Sequence, residues 1–177
     1  MGMAPATVTI AESNGTTPDI TASITNSNMG STEAVNLDPV AYPITPGTNS
    51  FEKWQRFCVS NMGASFKIDN LKVWRTTALG ANASHLTNAR EASYDGAQTF
   101  DTVNGPLATD RKATYDYTET MPISVPTGAN LGIGGALNGS ITTATSYSDY
   151  LVHQIQTTAS ATAGATCTMN YQYDETA

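Results

Sequence analysis

The chain is poor in charge and has no long apolar run, and both shortages limit what it can be. Only 13% of its 177 residues are charged, and 8 Lys and Arg against 15 Asp and Glu give a net charge of −7. Because a nucleic-acid partner needs a clustered basic face, we expect none. No segment approaches the ~20 apolar residues of a membrane helix, and no basic region followed by an apolar run opens the chain. We therefore expect no membrane partner and no cleaved signal.

Histidine and cysteine are also scarce, with two of each in the whole chain. A Ser-His-Asp triad needs an oriented histidine, yet no Gly-x-Ser-x-Gly elbow accompanies His85 or His153. We expect His153 to be a hydrogen-bonded sheet residue, and His85 to lie in a loop. Cys58 and Cys167 lack zinc-site spacing, and reduced buried thiols are preferred over a bridge across the domain. The prediction is a protein that is not an enzyme, with no catalytic residues, cofactor or metal.

Three alternatives keep a chemical or binding role open. A carboxylate pair for glycoside hydrolysis would come from Asp116, Glu119, Asp174 and Glu175, although solvated acids are the preferred interpretation. Hard oxygen ligands for calcium would come from Asp101, Asn104, Asp110, Asp116 and Asp149. An aromatic sugar-binding platform would come from Trp54, Trp74, Tyr94, Tyr115, Tyr117 and Tyr147. Trp54 and Trp74 lie within strong strand patterns, so we expect both mainly in the core.

Two stretches have the alternation of long strands, residues 50–74 and 149–175. Aromatic side chains in both phases after Ser50 predict a central strand covered on both faces. The segment Asn61-Met-Gly63 signals a turn. Phe66 and Ile68 then share a face that Leu71 and Val73 continue only if Asp69-Asn70 forms a bulge or a tight turn.

The closing block alternates with a strict period of two, typical of strands with one buried side. We expect its two runs to form a terminal antiparallel hairpin. No helical stripe of apolar residues occurs, so the prediction is an all-β antiparallel sandwich, immunoglobulin-like or jelly-roll in topology. Its predicted core anchors are Phe51, Trp54, Phe57, Phe66, Ile68, Leu71, Val73, Trp74, Tyr150, Ile155, Tyr171 and Tyr173.

Residues 1–48 differ from the rest because short apolar pairs alternate with polar residues and five prolines interrupt them. Each proline removes a backbone donor and favours an extended neighbour. We expect an extended N-terminal arm with one or two edge strands, which either wraps its own domain or reaches a neighbouring chain. The sandwich domain would then comprise residues 49–177, with short strands in the loop-rich segment 76–130.

The strand sequences also carry a family resemblance. The runs are SFEKWQRFCVS (50–60), SFKIDNLKVWR (65–75), YLVHQIQ (150–156) and YQYDE (171–175). Over about the last two-thirds of the chain, this pattern resembles small β-sandwich structural proteins of tailed bacteriophages.

The resemblance implies a virion protein, most plausibly a capsid decoration or cement protein made in the host cytoplasm. Such a protein binds the outer surface of the shell and bridges neighbouring capsomers. Its implied partners are the major capsid protein and further copies of itself, as a dimer or trimer. A tail or head-fibre component and a carbohydrate-binding or adhesin module remain the alternatives.

Overall fold

A computed structural model describes residues 4–14, 19–32, 34, 36–91, 93–94 and 119–177. Within these ranges the backbone forms strands and no helix, which confirms the all-β prediction. The strands are β1 Thr7–Asn14, β2 Asp19–Thr21, β3 Lys53–Asn61, β4 Lys67–Arg75, β5 Ala83–Glu91, β6 Glu119–Thr120, β7 Ser140–Ile141, β8 Ser146–Tyr147, β9 Tyr150–Thr157 and β10 Met169–Thr176.

The strands form two antiparallel sheets. Sheet A has seven strands in the order β2-β1-β3-β9-β5-β6, with β8 also paired to β3, and sheet B has three in the order β10-β4-β7. The inner faces meet in one apolar cluster, in which Phe57 and Leu151 of sheet A pack with Ile68, Leu71 and Val73 of sheet B. The fold is therefore a β-sandwich.

The central position of β3 explains its aromatic residues on both faces. Phe57 lies in the core between the sheets, whereas Trp54 packs on the opposite face of sheet A with Tyr150 and Val152. Both aromatic side chains are buried. Covering β3 on both faces removes far more apolar surface from water than a one-sided strand would.

The predicted turn between β3 and β4 and the predicted bulge within β4 are both present. Gly63 has a φ of 58°, and a side chain there would lie 2.4 Å from the carbonyl oxygens of Ala4 and Pro5, so only glycine fits. Further on, the β4–β10 register shifts next to Asn70, whose φ is 51°. This bulge returns Leu71 and Val73 to the same inner face as Ile68.

The predicted terminal hairpin is wrong. β9 pairs with β3 and β5 in sheet A, whereas β10 pairs with β4 in sheet B. The segment 158–168 therefore crosses from one sheet to the other instead of forming a tight turn. Both strands alternate as predicted, because a period of two determines which face of a strand is buried. It does not determine which strand pairs with it.

The predicted core anchors differ in burial: some are buried, some are half-buried and one is exposed. Phe66 is not a core residue: it precedes β4, and its side chain is 61% exposed. Trp74 is half-buried and follows the outward phase of β4, since Val73 and Arg75 on either side of it are buried. Phe51, Tyr171 and Tyr173 are also half-buried, and the buried anchors are Trp54, Phe57, Ile68, Leu71, Val73, Tyr150 and Ile155.

The N-terminal segment wraps its own domain. β1 pairs with β3 from Thr7 opposite Asn61 to Ser13 opposite Trp54, so it is an integral strand of sheet A. Further along, Leu37 is buried, and the amide of Phe51 donates to the carbonyl of Gly30 at 2.9 Å. The described residues before residue 49 thus contribute a strand and hydrogen bonds to the sandwich.

Candidate functional site

One end of the sandwich interior is polar, and β1 and β3 build it. Glu12 lies opposite Gln55 in the β1–β3 register, and Lys53 precedes Gln55 by two residues on the same face. The Lys53 ammonium contacts Glu12 Oε1 at 3.3 Å, and Gln55 Nε2 donates to Glu12 Oε2 at 3.0 Å. Ser27 also donates to Oε2, at 2.5 Å. All charge in this cluster is buried, with Lys53 only 1% exposed.

The hydrogen-bonded chain continues across the sandwich into sheet B. The Tyr171 hydroxyl of β10 donates to Gln55 Oε1. Burial, reinforced by the Glu12 carboxylate, raises the pKa of Tyr171 above its ordinary value, so this phenol stays a protonated donor at neutral pH. The two sheets are thus joined by a polar contact as well as by the apolar core.

A cavity of about 210 Å³ lies beside the ion pair. Carboxamide and hydroxyl side chains dominate its wall, and Glu12 with Lys53 brings no net charge. The lining residues are Glu12, Thr21, Ile24, Asn26, Ser27, Asn28, Asn36, Leu37 and Lys53. Such a wall suits a small, neutral, hydroxyl-rich molecule.

The two histidines meet inside the same interior. His85 lies on β5 and not in a loop, and the β5–β9 register places the neighbouring Thr87 opposite His153. His85 Nε2 and His153 Nδ1 are 2.8 Å apart, and both rings are buried. No sequence pattern predicts this contact, because it depends on the pairing of two residues that are 68 positions apart.

Both imidazoles are held neutral. Burial, then His153 and the Arg75 guanidinium, lower the pKa of His85 to about 2. Burial and the Lys53 ammonium lower the pKa of His153 to about 3. In the described part of the chain, His85 Nδ1 and His153 Nε2 have no hydrogen-bond partner. A general base needs a pKa near the working pH, and neither ring meets that requirement.

Of the candidate acids, the structure describes the side chains of Asp174 and Glu175, and these two carboxylates bind different partners. Asp174 accepts a hydrogen bond from Asn70 at 2.7 Å. Glu175 accepts from the Ser65 hydroxyl and the Ala6 amide, and these bonds lower its pKa. Asp116 lies outside the described residues, and the side chain of Glu119 is not described.

Of the five candidate calcium ligands, Asp149 is the one that the structure describes. Asp149 is buried and accepts from the Gly135 amide at 2.7 Å, whereas Asp101, Asn104, Asp110 and Asp116 lie outside the described residues. Nowhere in the described ranges do three His, Cys, Asp or Glu side chains gather as metal ligands. Cys58 and Cys167 are free thiols, and both are half-buried instead of fully buried.

The alternative of an aromatic sugar platform does not form among the residues that the structure describes. Trp54 is buried against Tyr94 and Tyr150, with ring centroids 5.1 and 5.5 Å away. Trp74 belongs to the other sheet. The half-buried Tyr147 ring lies 3.7 Å below the Arg56 guanidinium, a cation–π contact that holds Arg56 across the outer face of sheet A. Tyr115 and Tyr117 lie outside the described residues.

Large apolar side chains are displayed on the loops of the sandwich. Val40 is 86% exposed on a turn in which the Tyr42 amide donates to the Asp38 carbonyl at 3.0 Å. Ile123, at 67% exposed, follows Pro122, whose carbonyl accepts from the Arg75 amide at 2.9 Å. Tyr42, Phe66 and Val125 are exposed as well. These apolar groups are presented from hydrogen-bonded loops, where proline limits their freedom.

No protein-family model, curated protein or solved structure matches this chain. No helix in the described ranges is both long enough and apolar enough to cross a membrane.

Proposed function

We propose that this protein is a virion structural protein of the capsid decoration or cement type. It binds the outer surface of a phage shell and stabilises it by bridging neighbouring capsomers. The observation that carries the proposal is the set of exposed apolar side chains on the hydrogen-bonded loops around Val40 and Ile123. Exposed apolar groups rimmed by polar residues are typical of protein–protein contact sites.

The composition supports a surface that meets other proteins. Charged residues make up 13% of the chain, so its loops consist largely of uncharged polar and small residues. Charge is depleted at the centres of protein interfaces, where desolvation is costly. Each contact would be shallow, and its strength would come from repetition over a symmetric lattice.

Quantitative mass spectrometry of virus particles purified from the source of the sequence tests this proposal. We expect a copy number close to that of the major capsid protein. A few copies per particle would replace decoration with a tail, portal or head-fibre position. Absence from the particles would overturn the virion proposal.

A binding assay on shells then tests the loops. Val40→Thr keeps the shape of the side chain and Ile123→Thr keeps its branched Cβ, and both weaken the apolar contact, so each should lower shell occupancy. Ile20→Thr is the matched control, because Ile20 is an exposed aliphatic residue on β2 and not on these loops. Equal occupancy for all three variants would exclude the two loops as the contact.

The cavity beside Glu12 and Lys53 favours a second candidate, a carbohydrate-binding module. Its carboxamide, hydroxyl and apolar wall resembles the mixed lining that small-molecule sites use. Titration with a panel of monosaccharides, followed by NMR, would show shifts at Asn26 and Asn36 if this candidate is correct. Unchanged spectra throughout the panel would remove it.

A further inference from the structure

The two edges of sheet B differ in how their backbone N–H and C=O groups are hydrogen-bonded. On the side of β4 that faces away from β10, Asn130 accepts from the Val73 amide at 2.7 Å and donates to the Val73 carbonyl at 2.8 Å. The Arg75 amide donates to Pro122 on the same side. One carboxamide and a loop carbonyl thus satisfy the β4 backbone where β7 does not reach.

The opposite side of sheet B is the edge of β10. In an antiparallel ladder, the backbone groups of alternate residues point to opposite sides of the strand. Because those of Val73 and Arg75 point away from β10, those of Lys72 and Trp74 point towards it. Trp74 lies opposite Asn170 and Lys72 opposite Gln172, so Asn170 and Gln172 direct their backbone groups to β4. The β10 residues whose N–H and C=O groups point to the other side are Met169, Tyr171 and Tyr173.

In the described part of the chain, no strand pairs with that side of β10. An unpaired strand edge is a template for another strand, and proteins usually protect it with proline, lysine or a bulge. The sequence MNYQYDET contains no proline or lysine, and the bulge of sheet B lies at Asn70 on β4. Its carboxylates, Asp174 and Glu175, both lie near one end.

We propose that β10 pairs antiparallel with β10 of a second copy of this chain, around a two-fold axis at Gln172. In this register Tyr171 lies opposite the partner's Tyr173, and Asn170 lies opposite the partner's Asp174. The outward backbone groups then meet in hydrogen-bonded pairs, and the two three-stranded sheets become one six-stranded sheet.

The distribution of charge selects this occupant and this register. An antiparallel pair centred at Gln172 brings each Asp174 against a carboxamide, a favourable cross-strand neighbour. A register centred at Asp174 sets the carboxylates of the two copies against one another, which is destabilising. A register centred at Asn170 keeps them apart but pairs far fewer residues of β10. Because one surface serves both copies, the contact is isologous and closes as a dimer. It stands independently of the proposed binding to a shell.

Residue 172 provides a sharp test, since it would face its own copy across the axis as a non-hydrogen-bonded pair with close side chains. Gln172 is exposed and lies opposite Lys72 of β4, and one exposed cross-strand charge pair changes stability too little to unfold the domain, so its replacement should leave the fold intact. Gln172→Glu and Gln172→Lys should each raise the dimer dissociation constant about threefold, because like charges then face each other. Mixing the two variants should restore or strengthen association, with the heterodimer as the main species.

Analytical ultracentrifugation of wild type, each variant and their equimolar mixture measures this pattern. Thr162→Glu and Thr162→Lys are the matched controls, because Thr162 is exposed and lies outside β10. Their mixture should behave as its separate components do. As a second readout, hydrogen exchange at the amides of Tyr171 and Tyr173 should slow as protein concentration rises.

A wild-type protein that stays monomeric up to millimolar concentration would overturn the proposal. A dimer that ignores the charge at residue 172 would overturn it as well, because association would then use another surface.

Discussion

Lowering the pH below 6.5 should destabilise this protein, and the burial of His85 and His153 in neutral form is the main reason. Both rings are buried and neutral, with pKa values of about 2 and about 3 against 6.5 for an ordinary histidine. Between pH 6.5 and about 3, the two imidazoles therefore bind protons in the unfolded chain but not in the folded chain. The stabilisation is complete above pH 6.5 and is lost progressively as the pH falls through that window.

The size of the effect follows from the number of protons. Each histidine contributes a slope of about 1.4 kcal/mol per pH unit, so the pair contributes about 3 kcal/mol per unit. Between pH 7.5 and pH 5 the loss comes to about 4 kcal/mol. A typical domain has only about 5–15 kcal/mol of stability, so a change of this size is readily measured.

Urea denaturation at several pH values measures the slope directly. A matched variant is His85→Gln, because glutamine keeps a polar side chain of similar size that takes up no proton. Its slope between pH 6.5 and 5 should be about half that of the wild type. Equal urea midpoints at pH 7.5 and 5, or an unchanged slope in the variant, would refute the assignment to this histidine pair.

Three further predictions use the same denaturation assay. Lys53→Met should cost about 3–5 kcal/mol by removing the ammonium that faces the buried Glu12 carboxylate, and adding Glu12→Leu should recover much of it; no recovery would contradict the pairing. Asn70→Ala should cost about 1–2 kcal/mol more than Asn70→Gly, because only alanine is strained at positive φ; equal losses would contradict this. Leu71→Ala should cost about 2–5 kcal/mol, whereas Phe66→Ala should stay within about 0.5 kcal/mol, and similar losses would mean that Phe66 is buried.

The features that sequence could predict are local to one strand. The alternation from Lys53 to Asn61 and from Met169 to Thr176 fixes strand positions and buried faces, because side chains alternate with a period of two. The slip of phase after Ile68 even located the bulge at Asn70. Such features need no knowledge of any other segment.

The alternation of a strand does not predict which other strand it pairs with. β9 and β10 are neighbours in the chain, yet they lie in different sheets, and nothing in their alternation distinguishes a hairpin from a crossover. The sequence does not predict β5 as a long strand, because Ala83–Glu91 mixes polar and apolar residues in both phases. Without β5, the contact between His85 and His153 is not predictable.

The buried polar end of the interior is not predictable from the sequence for a different reason. Lys53 and Gln55 share a phase with Phe57, but lysine and glutamine on a strand normally predict the solvent side. Here Glu12 neutralises Lys53, and the chain of hydrogen bonds through Gln55 to Tyr171 satisfies the groups that lose water.

This polar end also specifies how the strands pair. A slip of one residue between β1 and β3 would turn Glu12 to the opposite face of sheet A, and Lys53 would stay buried without its carboxylate. Breaking a buried ion pair costs about 3–5 kcal/mol, whereas well-packed apolar residues at both positions often match the intact pair. An apolar pair would tolerate the slipped register better, since it leaves no unpaired charge. We therefore expect the Glu12–Lys53 pair to contribute more to the choice of register than to the net stability.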